Sequence, residues 1–144
     1  MRKFLHPVLA VVLGFVIGSV VNMVFIMLSG KVIPPPAGSD VATIEGLKAS
    51  LHLFEPKHFV FPFLAHAAGT MVGAFVATLV MLRRSYIPAY VVGGLFLLGG
   101  IANVFMLPGP AWFNAVDLLL AYLPAAWLGH KLAMRISQRA ASVA

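Results

Sequence analysis

A chain of 144 residues that is 61% hydrophobic and 10% charged has too little polar side chain to cover a soluble domain, and there is length for one domain only, residues 1–144. The net charge of +6 comes from basic residues at the ends of apolar segments, not from a patch, so it suits lipid headgroups and excludes a nucleic-acid partner. Without cysteine, disulfides, thiolate metal sites and cysteine nucleophiles are excluded as well.

The first apolar run covers residues 7–28, from Pro7 to Leu28, behind Arg2 and Lys3. It is far longer than the roughly 7–15 residues of a signal-peptide core and no small-x-small cleavage site follows, which predicts an uncleaved membrane helix. Gly14, Gly18 and Asn22 recur at every fourth position and form one face. An outer loop, residues 29–58, begins with the stiff spacer Pro34-Pro35-Pro36. Ser39 or Asp40 is the expected cap of a short amphipathic helix from Val41 to Phe54, with Val41, Ile44, Leu47, Leu51 and Phe54 on its apolar stripe. That helix is expected to lie on the outer membrane surface or to cap the bundle, and Pro56 ends it.

The second span, 59–82, carries His66 and Thr70 beside the small residues Gly69, Gly73 and Ala74. The third, 87–107, places Gly99 and Gly100 one turn before Asn103. The fourth, 111–132, aligns Asn114, Asp117, Ala121, Ala125 and Gly129, and Pro124 inside it predicts a kink that frees the Leu120 carbonyl. Each span has close to the ~20 residues that cross ~30 Å of hydrocarbon. The fold class expected is an all-α integral membrane protein, a four-helix transmembrane bundle with an amphipathic helix in its outer loop.

Orientation follows from the basic residues. Arg2, Lys3, Arg83, Arg84, Lys131, Arg135 and Arg139 fall on one side, against Lys31, Lys48 and Lys57 on the other. The positive-inside rule places both termini in the cytoplasm of a bacterial-type inner membrane, with Trp112 at the outer interface and Tyr86, Tyr90 and Trp127 towards the inner one.

Asn22, His66, Asn103 and Asp117 lie at matching depth on four spans, roughly 8–10 Å below the outer surface at ~1.5 Å per residue. Asp117 is the sole carboxylate within the spans, and an ionised Asp at the centre of a membrane helix costs about 2.5–3.5 kcal/mol, so a partner or water is expected. An Asp117–His66 pair held by Asn22 and Asn103, with Asn114 and Thr70 close by, would form a polar pocket for a small ligand, ion or lipid headgroup. The equal competitor is a structural latch, worth about 0.6 kcal/mol per interhelical hydrogen bond. The Gly-rich faces suit a small homo-oligomer or a place as accessory subunit of a larger membrane complex.

Two other chemistries are open. Asp117 and His66 would suit a proton-coupled transporter or channel. His52, Glu55 and His58, with His66 beyond them, offer imidazole and carboxylate ligands for a metal-dependent membrane enzyme, although Pro56 interrupts the helix that would align them. A bis-histidine haem would fall to His6 and His130, both flanked by basic residues at helix ends where snorkelling is the ordinary role. No nucleotide loop, G-x-S-x-G elbow or H-E-x-x-H is present, so a non-enzymatic role is expected. In size and span number the chain resembles the small multidrug transporters, but the first-span carboxylate on which those rely has no counterpart here.

Overall fold

A computed structural model describes residues 2–81 and 85–143; the end of the expected second span at Leu82 and the basic residues Arg83 and Arg84 lie outside them. The described residues are helical with no strand, and four segments are long and apolar enough to cross a membrane: His6–Val32, Pro56–Val80, Ile87–Met106 and Ala111–Ser142. Helices are the structures that satisfy every backbone N–H and C=O within one segment, which is what an apolar solvent demands. The elements are α1 (Arg2–Val32), α2 (Ile44–Ser50), α3 (Val60–Val80), α4 (Ile87–Met106), α5 (Ala111–Leu120) and α6 (Leu123–Val143).

At the centre stands α3, packed against α1, α4 and α6. Its contact with α1 is glycine against glycine. A Cβ on Gly14 would lie 2.5 Å from the Gly73 carbonyl oxygen, and one on Gly18 2.5 Å from that of Gly69. Reciprocally, a Cβ on Gly69 would meet the Gly18 carbonyl at 2.8 Å, and one on Gly73 the Gly14 carbonyl at 2.7 Å. Ala10 and Ala77, both wholly buried, extend this face. Such close backbone approach is the kind of contact that holds helices together in lipid, where tails are as apolar as leucine. The same device joins α4 to α6, where a Cβ on Gly93 would sit 2.7 Å from that of Ala126, and α6 to α3, where Gly129 abuts the Met71 carbonyl.

The fourth apolar segment is two helices. α5 stops at Leu120 and α6 starts at Leu123, with Ala121 and Tyr122 between them. Pro124, the second residue of α6, has no N–H to offer the Leu120 carbonyl, so the expected kink takes the form of a break just ahead of the proline. That break turns Tyr122 inward, where it is 1% exposed.

In the loop, α2 is seven residues long and its cap is Thr43, whose hydroxyl accepts the Gly46 N–H at 2.9 Å. The expected caps are committed elsewhere. Ser39 closes a turn onto the Pro36 carbonyl at 2.7 Å, with Gly38 at φ 81° inside it, and Asp40 accepts the Ala42 N–H at 2.9 Å. A short 3₁₀ turn, Leu51–Leu53, follows α2, and another, Pro56–Phe59, leads into α3. The predicted stripe survives the shortening in part: Leu47, Leu51 and Phe54 face the bundle, while Val41 and Ile44 are each 51% exposed.

Candidate functional site

At the end of the bundle carrying α2, the helices line a half-open cavity of about 690 Å³. Ile26 and Ser29 of α1, Pro62 of α3, Phe96 and Val104 of α4 and Phe113 of α5 form its walls, and the α2 stripe roofs it. Phe59 ties that roof to α5 by an edge contact with Trp112 and a tilted one with Phe113, ring centroids 5.7 and 4.8 Å away. Most of the lining is apolar, and the polar groups on it are few.

Chief among these is the predicted pair. His66 Nδ1 lies 2.9 Å from each oxygen of Asp117, and the carboxylate is buried, 3% exposed. α3 and α5 enter the bundle from the same end, so equal depth in sequence becomes contact in space. An ionised carboxylate only accepts, so with Asp117 in that form the shared proton lies on Nδ1. Nε2 has no hydrogen-bond partner among the described residues, and His66 lines the cavity.

The second partner of Asp117 was not expected from the sequence. Tyr122 donates its hydroxyl to Asp117 Oδ2 at 2.8 Å, stacks on the His66 ring with centroids 5.7 Å apart, and lies across Gly100, where any side chain would collide with the phenol. Asp117, His66 and Tyr122 therefore form one unit, oriented by the break between α5 and α6. The signal was present in Tyr122 standing two residues before Pro124, far from either interfacial belt, where a phenol needs a buried partner.

The asparagines do not hold the pair as predicted. Asn22 lines the cavity, yet its Oδ1 is buried without a partner, because the residue lies alongside Gly69 on the close α1–α3 contact. Asn103 lines the cavity from α4 and is otherwise exposed. Asn114 spends its amide on the Gly109 carbonyl at 3.2 Å, which closes the connection between α4 and α5. Thr70 is not on the cavity wall: it is fully buried in the helix packing with its hydroxyl unpartnered.

The metal grouping does not assemble. Among the described residues no three His, Asp or Glu side chains converge on one point. His52 points its Nδ1 at the Ala49 carbonyl, 2.8 Å away, and Glu55 is exposed and paired with Lys57 at 2.9 Å, which holds its carboxyl below the usual range through that hydrogen bond and the lysine's charge. His58 Nδ1 lies 2.9 Å from the Glu55 N–H and 3.2 Å from the Glu55 carbonyl oxygen, so the E-x-x-H spacing serves a helix cap ahead of α3. His58 is nonetheless buried and lines the cavity.

A second polar contact lies at the opposite end. Thr78 donates its hydroxyl to the Ala74 carbonyl at 2.9 Å and faces His130 Nδ1 at 3.2 Å, while His6 is exposed, so the two haem-candidate histidines stand in unlike surroundings. Comparison with protein-family models, with curated proteins and with solved structures finds no match for this chain.

Proposed function

We propose that this chain is a small polytopic inner-membrane protein, both termini cytoplasmic, whose cavity on the outer side binds a small ligand through the Asp117–His66 pair. The observation that carries the reading is His66 Nδ1 held 2.9 Å from both Asp117 oxygens on the wall of a 690 Å³ cavity. A latch needs no cavity beside it, and this volume falls within the range of small-molecule sites, roughly 300–1,000 Å³. In this reading Asp117 fixes the tautomer, Tyr122 fixes the carboxylate, and Nε2 of His66 meets the ligand. The test is extraction into native nanodiscs followed by mass spectrometry of retained small molecules and co-purified subunits, comparing wild type with His66→Gln at matched helicity. A compound enriched on wild type and depleted on the variant is expected. Identical profiles, or nothing above the lipid background on wild type, refute the reading.

One observation favours proton-coupled transport as a second reading. His66, Thr70 and Thr78 share one face of α3 with the apolar Ala74 between the two threonines, so three polar groups are spaced over ~18 Å at ~1.5 Å per residue between Asp117 and His130. Asp117→Asn in proteoliposomes would abolish proton-driven flux; unchanged flux in folded protein removes this reading.

A further inference from the structure

The cavity is not equally covered on all sides. None of the wall residues that α3 and α5 contribute is exposed: Asp117 is buried, and Pro62, His66 and Phe113 are half-buried. Most of the exposed wall lies on α1 and α4, where Ile26 and Leu95 are each 40% exposed and Gly30, Gly99 and Asn103 are exposed beside them. In the roof, only the corner of Pro35 and Val41 is exposed.

α1 and α4 meet below this region. Phe96 packs on Phe15 with ring centroids 5.2 Å apart and covers Gly18, where an added Cβ would lie 3.1 Å from the Phe96 ring. Towards the α2 end, a Cβ on Gly99 or Gly30 would meet nothing within 4 Å. A gap therefore opens above the Phe15–Phe96 sill and runs along α4 as far as Asn103, ~10 Å at ~1.5 Å per residue. It lies within two segments apolar enough to cross a membrane, His6–Val32 and Ile87–Met106, so in a bilayer this side meets hydrocarbon.

Charge narrows what passes. Among the described residues no Lys or Arg lines the cavity, so an anion finds no counter-charge. A cation finds no free carboxylate, since Asp117 is 3% exposed and both its oxygens are taken by His66 and Tyr122. Asn103 holds an exposed amide in the gap, and an amide facing bare hydrocarbon is costly unless something hydrogen-bonds to it.

Resting on the reading of the cavity as a ligand site, we infer that its occupant is an uncharged lipophile with a hydrogen-bonding head, taken up sideways from the bilayer through the gap between α1 and α4. Such a molecule is concentrated in the lipid and moves from hydrocarbon to an apolar wall without passing through water. A side opening onto lipid also leaves the apolar wall free of the hydration cost that an opening onto water would impose.

Two photoreactive probes test this in nanodiscs: an uncharged long-chain amide carrying a diazirine, dissolved in the lipid, and its sulfonated analogue, added from water. Crosslinks are mapped by peptide mass spectrometry against Leu119, which is 70% exposed on α5 and off the cavity. The uncharged probe should label Pro62 and Phe113 on the covered wall. Gly99→Trp fills the gap at a position whose Cβ has no neighbour, and should lower that labelling at least about tenfold relative to Leu119. Ile26→Trp repeats the block from the facing helix should Gly99→Trp not fold. Leu98→Trp, 64% exposed and off the cavity, should leave the labelling unchanged. Labelling that survives both blocking variants, a block by Val41→Trp in their place, or equal labelling of the covered wall by the sulfonate overturns the inference. If a native compound is retained in a His66-dependent way but the uncharged probe does not reach the covered wall, the lateral route alone falls. If nothing is retained and neither probe reaches that wall, the ligand site falls with it.

Discussion

Tyr122→Phe separates an ionised site from a neutral latch. The change deletes one oxygen and keeps the ring, so the stack on His66 and the packing across Gly100 remain, and the only bond lost is the 2.8 Å donation to Asp117 Oδ2. A hydrogen bond to a charged group contributes about 1.5–3 kcal/mol, whereas interhelical hydrogen bonds between membrane helices average about 0.6 kcal/mol. Asp117 is buried with one histidine and this phenol as its hydrogen-bond donors among the described residues, so the charge-assisted figure applies if it is ionised. The expected loss is about 1.5–2 kcal/mol, at the lower end because His66 remains in place. Reversible unfolding in bicelles reads it, and a cycle with Asp117→Asn isolates the pair, with a coupling of at least about 1 kcal/mol expected. A loss of ~0.6 kcal/mol or less with no coupling would mean a neutral carboxyl, and the tautomer argument for His66 would fail with it.

Gly73→Leu should part α1 from α3 and cost several kcal/mol, by about the measure of overpacking a rigid backbone contact, since even a Cβ there meets the Gly14 carbonyl at 2.7 Å; crosslinking between cysteines placed on the two helices reads the separation. Pro124→Ala restores the N–H missing at the Leu120 carbonyl and should join α5 to α6, so that ligand retention falls while thermal stability holds or rises. Thr43→Ala removes the cap of α2 at a local cost of about 1 kcal/mol, seen as faster amide exchange at Gly46. The Glu55 carboxyl is held below its ordinary range in the folded chain, so its stabilising pairing with Lys57 is present above that range and is lost as pH falls through the lowered value; amide exchange over residues 56–59 should quicken there, by a small amount because the pair is fully exposed.

Spans were legible because lipid imposes a length and penalises polar atoms, so Asp117 and His66 stand out against their neighbours without any alignment. Their contact was legible because α3 and α5 both start at the α2 end, which lets depth be counted from a common origin. Rotation about the helix axis was not. Asn22 shares the depth of the pair, but Gly14 and Gly18 fix which face of α1 meets α3, and that face carries Asn22 against Gly69 and not over Asp117. Tyr122 escaped because a helix break displaces a side chain in a way that 3.6-residue counting does not follow. The loop went astray for a local reason: Ser39, Asp40 and Thr43 are all competent caps, and short-range turns claimed the first two.

The break in the fourth segment is the feature least explained by stability. A continuous helix would satisfy every backbone group, whereas an interrupted one inside an apolar slab leaves carbonyls that are tolerated only where protein or a cavity covers them. Here the interruption is covered, with Ala121 fully buried and Tyr122 nearly so. The two long-range polar contacts show what the break adds. Thr78 and His130 join α3 to α6 without any irregularity, at 3.2 Å, so fixing the register of these helices does not require one. Asp117 and His66 could have done the same on a straight helix. What a straight helix does not provide is a third group, five residues beyond Asp117, turned back to grip the same carboxylate from the far side of the imidazole. Three groups packed together at the edge of a largely apolar cavity hold the His66 ring in a single plane. Register alone has no use for that restriction, whereas the proposed ligand site would.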